Sequence, residues 1–177
     1  NVFVLSVEHY NGSDKEVENN DIEIDKIRLT NKTNIAKPLI EMVTFTRDNQ
    51  VDIIGDKMYI SPLLFLTVNE NPFKLKERLY PIDYGSAWKN DITISILLPE
   101  GYKVASKPED FTLTLPDNLG TYIMKTEVVK NKINVSSQTK INMAIIGANY
   151  YQTLKELYKQ AIEHQMEKIV LVQGVQG

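Results

Sequence analysis

The chain has 177 residues, of which 42% are apolar and 24% charged, with a net charge of −3. Those proportions belong to an ordinary globular domain long enough to bury a sizeable core, and they exclude the basic face of a nucleic-acid binder. Cysteine is absent, which excludes disulfides, thiolate metal sites and cysteine nucleophiles, and no apolar run approaches the length of a membrane span.

Residues 2–7 are nearly all apolar, the pattern of a strand covered on both faces. The chain opens without an initiator methionine, basic leader or cleavage site, and reads as a fragment of a longer chain. Residues 21–29 change phase midway, from Ile22 and Ile24 to Ile27 and Leu29, which predicts a bulge near Asp25-Lys26. Residues 38–46, 50–54 and 57–60 read as further strands. Gly55-Asp56 joins the last two as a two-residue hairpin loop with glycine first. Residues 69–90 are the least regular part, where a sub-boundary would fall. The expectation is still one domain over residues 1–177.

In residues 91–98, Ile92, Ile94, Ile96 and Leu98 share one face, opposite Asp91, Thr93 and Ser95. That alternation is a strand with one face on a core. Phe111, Leu113 and Leu115 alternate with Thr112 and Thr114, and residues 122–128 read as another strand. In residues 132–143, Ile133, Val135, Ile141 and Met143 share a face with Ser137 and Thr139. The stretches Pro99-Glu100-Gly101 and Pro116-Asp117-Asn118-Leu119-Gly120 read as turns, with glycine supplying positive φ.

One helix interrupts the strands. Over residues 150–166 the apolar positions Tyr150, Leu154, Leu157, Tyr158, Ala161, Ile162 and Met166 form one stripe. Asn149 and Gln152 predict a capping box at its start. After Glu167-Lys168, residues 169–172 form a last short strand. Many short strands without helix-length crossovers indicate a mainly β fold. The expected architecture is an antiparallel β-sandwich with one C-terminal amphipathic α-helix and a short final strand.

A search for chemistry returns little. Ser86 is not a nucleophile elbow, because Tyr84 and Trp88 hold the places that glycines should occupy. His9 and His164 lie near opposite ends of the sequence, and nothing in the pattern pairs either with a serine. His164 lacks the second histidine of a zinc-hydrolase helix and reads as an edge residue favoured near a helix C-terminus. The acidic run Glu16, Glu18, Asp21, Glu23 and Asp25 lacks the glycine and ligand spacing of a calcium loop. No catalytic set, metal site or cofactor is expected. The aromatics Tyr59, Tyr80, Tyr84 and Trp88 would serve as a carbohydrate- or peptide-binding platform if exposed together. A core or seam role is the commoner fate of such rings, and Pro81 and Gly85 prevent a helix from aligning them.

Several phrases, in order, resemble a family of bacterial domains of unknown function found C-terminal to transglutaminase-like domains. They are Gly55-Asp56-Lys57-Met58-Tyr59, Pro62-Leu63-Leu64-Phe65, Glu70-Asn71-Pro72-Phe73 and Glu77-Arg78-Leu79-Tyr80-Pro81-Ile82-Asp83-Tyr84, then Leu98-Pro99-Glu100-Gly101-Tyr102. Tyr150-Tyr151, Leu154-Lys155-Glu156 and Glu167-Lys168-Ile169-Val170-Leu171 complete the set. The resemblance spans roughly residues 20–173. It implies a β-rich tail of an exported or envelope protein whose transglutaminase-like core would use a cysteine, a histidine and an aspartate. It transfers no catalytic or ligand residue to this chain. The implied partner is a neighbouring domain of the same polypeptide, and the implied location is periplasmic, outer-membrane-associated or secreted.

Overall fold

The computed structural model describes residues 3–6, 22–34, 36–37, 40–47 and 50–174, with side chains described for residues 26–34, 36–37 and 50–174. Strands β1 (Phe3–Ser6), β2 (Ile22–Thr30) and β3 (Ile40–Arg47) are followed by β4 (Val51–Ile54) and β5 (Lys57–Ile60). Next come β6 (Ile82–Asp83), β7 (Trp88–Leu97), β8 (Tyr102–Ser106), β9 (Phe111–Thr114), β10 (Gly120–Val129), β11 (Lys132–Ile141) and β12 (Ile145–Ile146). Helix α1 (Tyr151–Met166) and β13 (Ile169–Gln173) end the fold.

The strands form three antiparallel sheets: a seven-stranded sheet ordered β2-β3-β1-β7-β11-β10-β9, a four-stranded sheet ordered β4-β5-β13-β8, and the two-stranded ribbon β12-β6. The architecture is mainly β and sandwich-like, as the alternation predicted. Ile94 and Ile96 of β7, Ile133 and Val135 of β11, and Tyr122 and Met124 of β10 line one side of the core. Ile60, Ile169 and Leu171 of the smaller sheet and Leu154 and Leu157 of α1 join them in the same buried cluster. The helix thus does what its stripe requires, laying it over a sheet face that would otherwise meet water.

Local chemistry explains the connections. Ile54 pairs with Lys57, so Gly55-Asp56 is a two-residue loop. Only Gly55 of the two has positive φ (+63°), the type II′ pattern that glycine permits. The bulge predicted near Asp25-Lys26 is present, for the β2–β3 register shifts between Ile24 and Lys26. The turn 116–120 differs from expectation: Asp117 and Asn118 take positive φ, and Asn142 Nδ2 braces them by donating to the Asn118 carbonyl at 2.8 Å. Gly120 is required there for another reason, because a Cβ would run into the Lys140 carbonyl oxygen across the ladder.

Three details of the predicted elements are corrected. Residues 148–150 form a 3-10 turn before α1, and no side chain caps the helix. Gln152 instead donates to the Lys76 carbonyl. The buried stripe of α1 is Tyr151, Leu154, Leu157, Ala161 and Gln165, while Met166 faces solvent. Met143 is also exposed, because β11 ends at Ile141 and Asn142 N turns to donate to the Leu119 carbonyl. The irregular stretch 69–90 carries β6, a strand too short for periodicity to reveal.

Candidate functional site

Three strands and one helix build the most site-like feature among the described residues. Cross-strand register sets Tyr122 beside Thr139 and Thr139 beside Asn90, a polar row across β10, β11 and β7 on the core-facing side. Helix α1 passes over this row but does not fill it. The space left is a cavity of about 120 Å³, walled by Trp88, Tyr158, Leu157, Ala161, Ile162 and Val68. Asn90, Tyr122, Thr139 and Gln165 supply its polar lining.

Part of that lining is committed to structure. Tyr122 is fully buried, and its hydroxyl accepts from Gln165 Nε2 at 3.2 Å and lies 3.5 Å from the donating Ser137 Oγ. The same hydroxyl points its hydrogen at Met124 Sδ, 3.4 Å away. Gln165 Oε1 accepts from Val68 N at 2.9 Å. A buried glutamine thereby ties the end of α1, the sheet floor and the loop after β5 into one network. Burial pushes the Tyr122 phenol above its ordinary value, against the pull of Ser137 and Gln165.

The four predicted aromatics are distributed. Tyr84 and Trp88 meet, with ring centroids 6.0 Å apart and planes at 60°. An Asx turn places them: Gly85 N donates to Asp83 Oδ1 at 2.8 Å, and Gly85 takes positive φ. Tyr84 N donates to the Ala144 carbonyl at 2.7 Å, extending the β6–β12 ribbon. Tyr80 stands in solvent, and Tyr59 sits half-buried on β5 of the smaller sheet. The Tyr84 and Tyr158 hydroxyls are near enough to perturb each other, yet Tyr84 Oη is buried without a hydrogen-bond partner among the described residues. Burial, then Tyr158, drives the Tyr84 phenol far upward, and burial raises Tyr158 as well.

A strap closes the other half of the helix. Phe73 packs edge-on against Tyr151 (5.4 Å) and Tyr158 (5.2 Å). Asn71 Nδ2 donates to the Lys155 carbonyl at 2.8 Å, while Tyr151 Oη and Lys155 Nζ both donate to the Leu75 carbonyl. Beyond the strap, the chain turns outward. Leu79 and Tyr80, just before β6, and Ile145 on β12 are 84%, 77% and 60% exposed, an apolar rim at the β6–β12 ribbon.

The other candidates resolve simply. Ser86 is exposed. His164 stacks on Phe111 at 3.8 Å and approaches Glu167 at 3.4 Å, fastening α1 to β9. His9, Glu16, Glu18 and Asp21 lie outside the described residues, as do the side chains of Glu23 and Asp25. Among the described residues no cluster of three or more His, Asp or Glu could hold a metal ion, and no helix is long and apolar enough to cross a membrane. Sequence reasoning missed Asn90, Tyr158 and Gln165. For Asn90 the signal was there, since with Ser137 and Thr139 it interrupts the apolar faces of β7 and β11.

The model of a family described as a Domain of Unknown Function with solved-structure structure (DUF3858) matches residues 56–171. Neither a curated protein nor a solved structure gives a significant match.

Proposed function

The chain belongs to the DUF3858 family, and from that premise we propose that it is a non-catalytic β-sandwich accessory module that packs on, orients or extends a neighbouring domain. That neighbour would be a transglutaminase-like core of the same polypeptide, supplying the cysteine, histidine and aspartate, in a bacterial protein of the periplasm, the outer membrane or the secreted fraction. The ordered phrases from Gly55 to Leu171 support the association with such a core. The apolar rim carries the interaction reading, because Leu79, Tyr80 and Ile145 hold large apolar surfaces in water. Large apolar side chains exposed close together along a chain segment and its paired strand mark candidate contact surfaces.

The test has two parts. The reading frame containing this chain should encode a cysteine-containing transglutaminase-like domain, and that domain should co-elute with this chain when the two are produced separately. Leu79→Asp combined with Tyr80→Asp should abolish co-elution while leaving the chain folded. A reading frame without such a domain, or co-elution indifferent to the double substitution, overturns the proposal.

A second reading, a carbohydrate- or peptide-binding module, has one observation in its favour. Trp88 walls a cavity whose floor carries amide and hydroxyl groups. Of the rings once grouped with it, Tyr84 alone is a neighbour.

A further inference from the structure

We infer that two copies of this chain interlock. The core-facing side of the β2-β3-β1 extension of each copy covers that of the other, and β2 of each lies along β4 of the other. This goes beyond the docking proposed above and uses neither Leu79 nor Tyr80.

The wide sheet is broader than the layer on top of it. Its seven strands face a sheet of four. The buried residues Ile94, Ile96, Ile133, Val135, Tyr122 and Met124 place that cover, with α1, over β7, β11 and β10. Strands β1, β3 and β2 lie on the other side of β7, an overhang of roughly 14 Å at ordinary strand spacing. Strand β4, the margin of the smaller sheet, stands at this side too, because only residues 48–50 separate it from β3, a reach of at most about 14 Å. Overhang and margin together make a step.

Both walls of the step are apolar. Residues opposite one another in an antiparallel pair share a face. The register Ile94–Leu5–Val43–Ile27 therefore carries a core-facing row out to β2, where Ile27 is 53% exposed against 1% for Ile94. Leu29 shares that face of β2 and is exposed as well. In the smaller sheet the row Leu171–Met58–Ile53 runs from a fully buried residue to one 67% exposed. Two rows that begin in one core end in water at one margin. Residues 8–21, between β1 and β2, supply only Tyr10 and Val17 as large apolar side chains, little to cover such a face with.

Shape and charge select a second copy as the occupant. Turned over about a two-fold axis, a copy brings an overhang of the same width as the step it enters, and each step receives the other's strands. Strand β2 of one copy then meets β4 of the other, and both edges, unpaired among the described residues, gain a neighbour. Lys26 and Arg28 alternate with Ile27 and Leu29, so they lie exposed on the outer face of β2. Asp52 alternates with Val51 and Ile53 on β4, 3.6 Å from Lys168 Nζ and with its side chain 67% exposed. The join sets Ile53 of one copy beside Ile27 and Leu29 of the other on the inner face, and Asp52 beside Lys26 and Arg28 on the outer. A foreign domain would have to supply the apolar face, the open edge and the matching charges. A second copy has all three.

The whole chain is followed by sedimentation velocity through a micromolar dilution series. The expected result is a reversible monomer–dimer equilibrium with a dissociation constant on the order of 10 µM. Ile27→Asp should weaken it at least about tenfold with an unchanged thermal midpoint, since the side chain meets water in the single copy. Asp52→Lys should weaken it about tenfold, and adding Lys26→Asp and Arg28→Asp to that variant should restore it. A monomer at every concentration overturns the inference, as does a dimer that survives Ile27→Asp or Asp52→Lys. Failure of the triple variant to recover the dimer overturns it too. A dimer broken by Leu79→Asp but not by Ile27→Asp assigns association to the rim instead.

Discussion

Residues 71–76 and residues 77–80 belong to one loop and meet opposite fates. The first segment is strapped to α1 by Phe73 and by four hydrogen bonds, from Asn71, Tyr151, Gln152 and Lys155. The second leaves Leu79 and Tyr80 in water a few residues later. Both are rich in apolar and aromatic side chains, so composition does not separate them. What separates them is supply: α1 offers the strap carbonyls donors and Phe73 two rings, and nothing in the described residues covers the rim. An apolar group that finds its partner within the chain is structural, and one left over points to a partner outside it.

The comparison is tested hardest where the strap is cut. Phe73→Ala should destabilise the isolated chain by about 3–5 kcal/mol, measured by chemical denaturation. A loss no larger than that of Tyr80→Ala would erase the distinction. Gly120→Ala forces a methyl group into the Lys140 carbonyl and should cost about 1–3 kcal/mol. Its effect is independent of the strap and serves as a control for simple core damage. Tyr151→Phe removes one donor to the Leu75 carbonyl and should cost about 1 kcal/mol, with faster amide exchange confined to residues 71–76.

Alkali offers a gentler probe. Tyr84, Tyr122 and Tyr158 have folded phenols raised above the ordinary 10.0, chiefly by burial. Their raised values mean that the unfolded chain loses these protons first as pH rises. Stability should therefore be flat through neutral pH and fall once pH passes about 10. Tyr158→Phe should soften that fall, as read from denaturation midpoints across the range. The smallest effect belongs to the rim. Leu79→Ser should move stability by less than about 0.5 kcal/mol, since its side chain is almost wholly exposed already.

Most of the strands were legible because burial on one face writes itself into alternation, as in Ile92, Ile94 and Ile96 or in Ile133 and Val135. Strand β8 was missed, since only Tyr102 and Val104 of its five residues are part-buried. Even the β2 bulge was legible, through the phase change between Ile24 and Ile27. The two-residue strands Ile82–Asp83 and Ile145–Ile146 were not, since two residues carry no period. Gln152 resembled a cap because capping is a local pattern, whereas its actual acceptor lies 76 residues away. Gln165 falls outside the apolar stripe that the sequence predicts for the helix. It is buried because Tyr122 and Val68 satisfy its amide, a tertiary fact with no sequence signature. Of the site, Trp88 and Tyr84 were visible as aromatics. The floor was visible only as polar residues on faces that should have been apolar, and the strand register that joins Asn90 to Thr139 is set by pairing across the fold.

The reading of the rim as a contact surface is tested most directly by hydrogen–deuterium exchange on residues 77–83 and 143–146, comparing this chain alone with the same residues inside the proposed longer polypeptide. Slower exchange in those two segments within the longer chain, with residues 71–76 unchanged, is the predicted result. Equal exchange in both settings would contradict the account and leave the rim as bare surface.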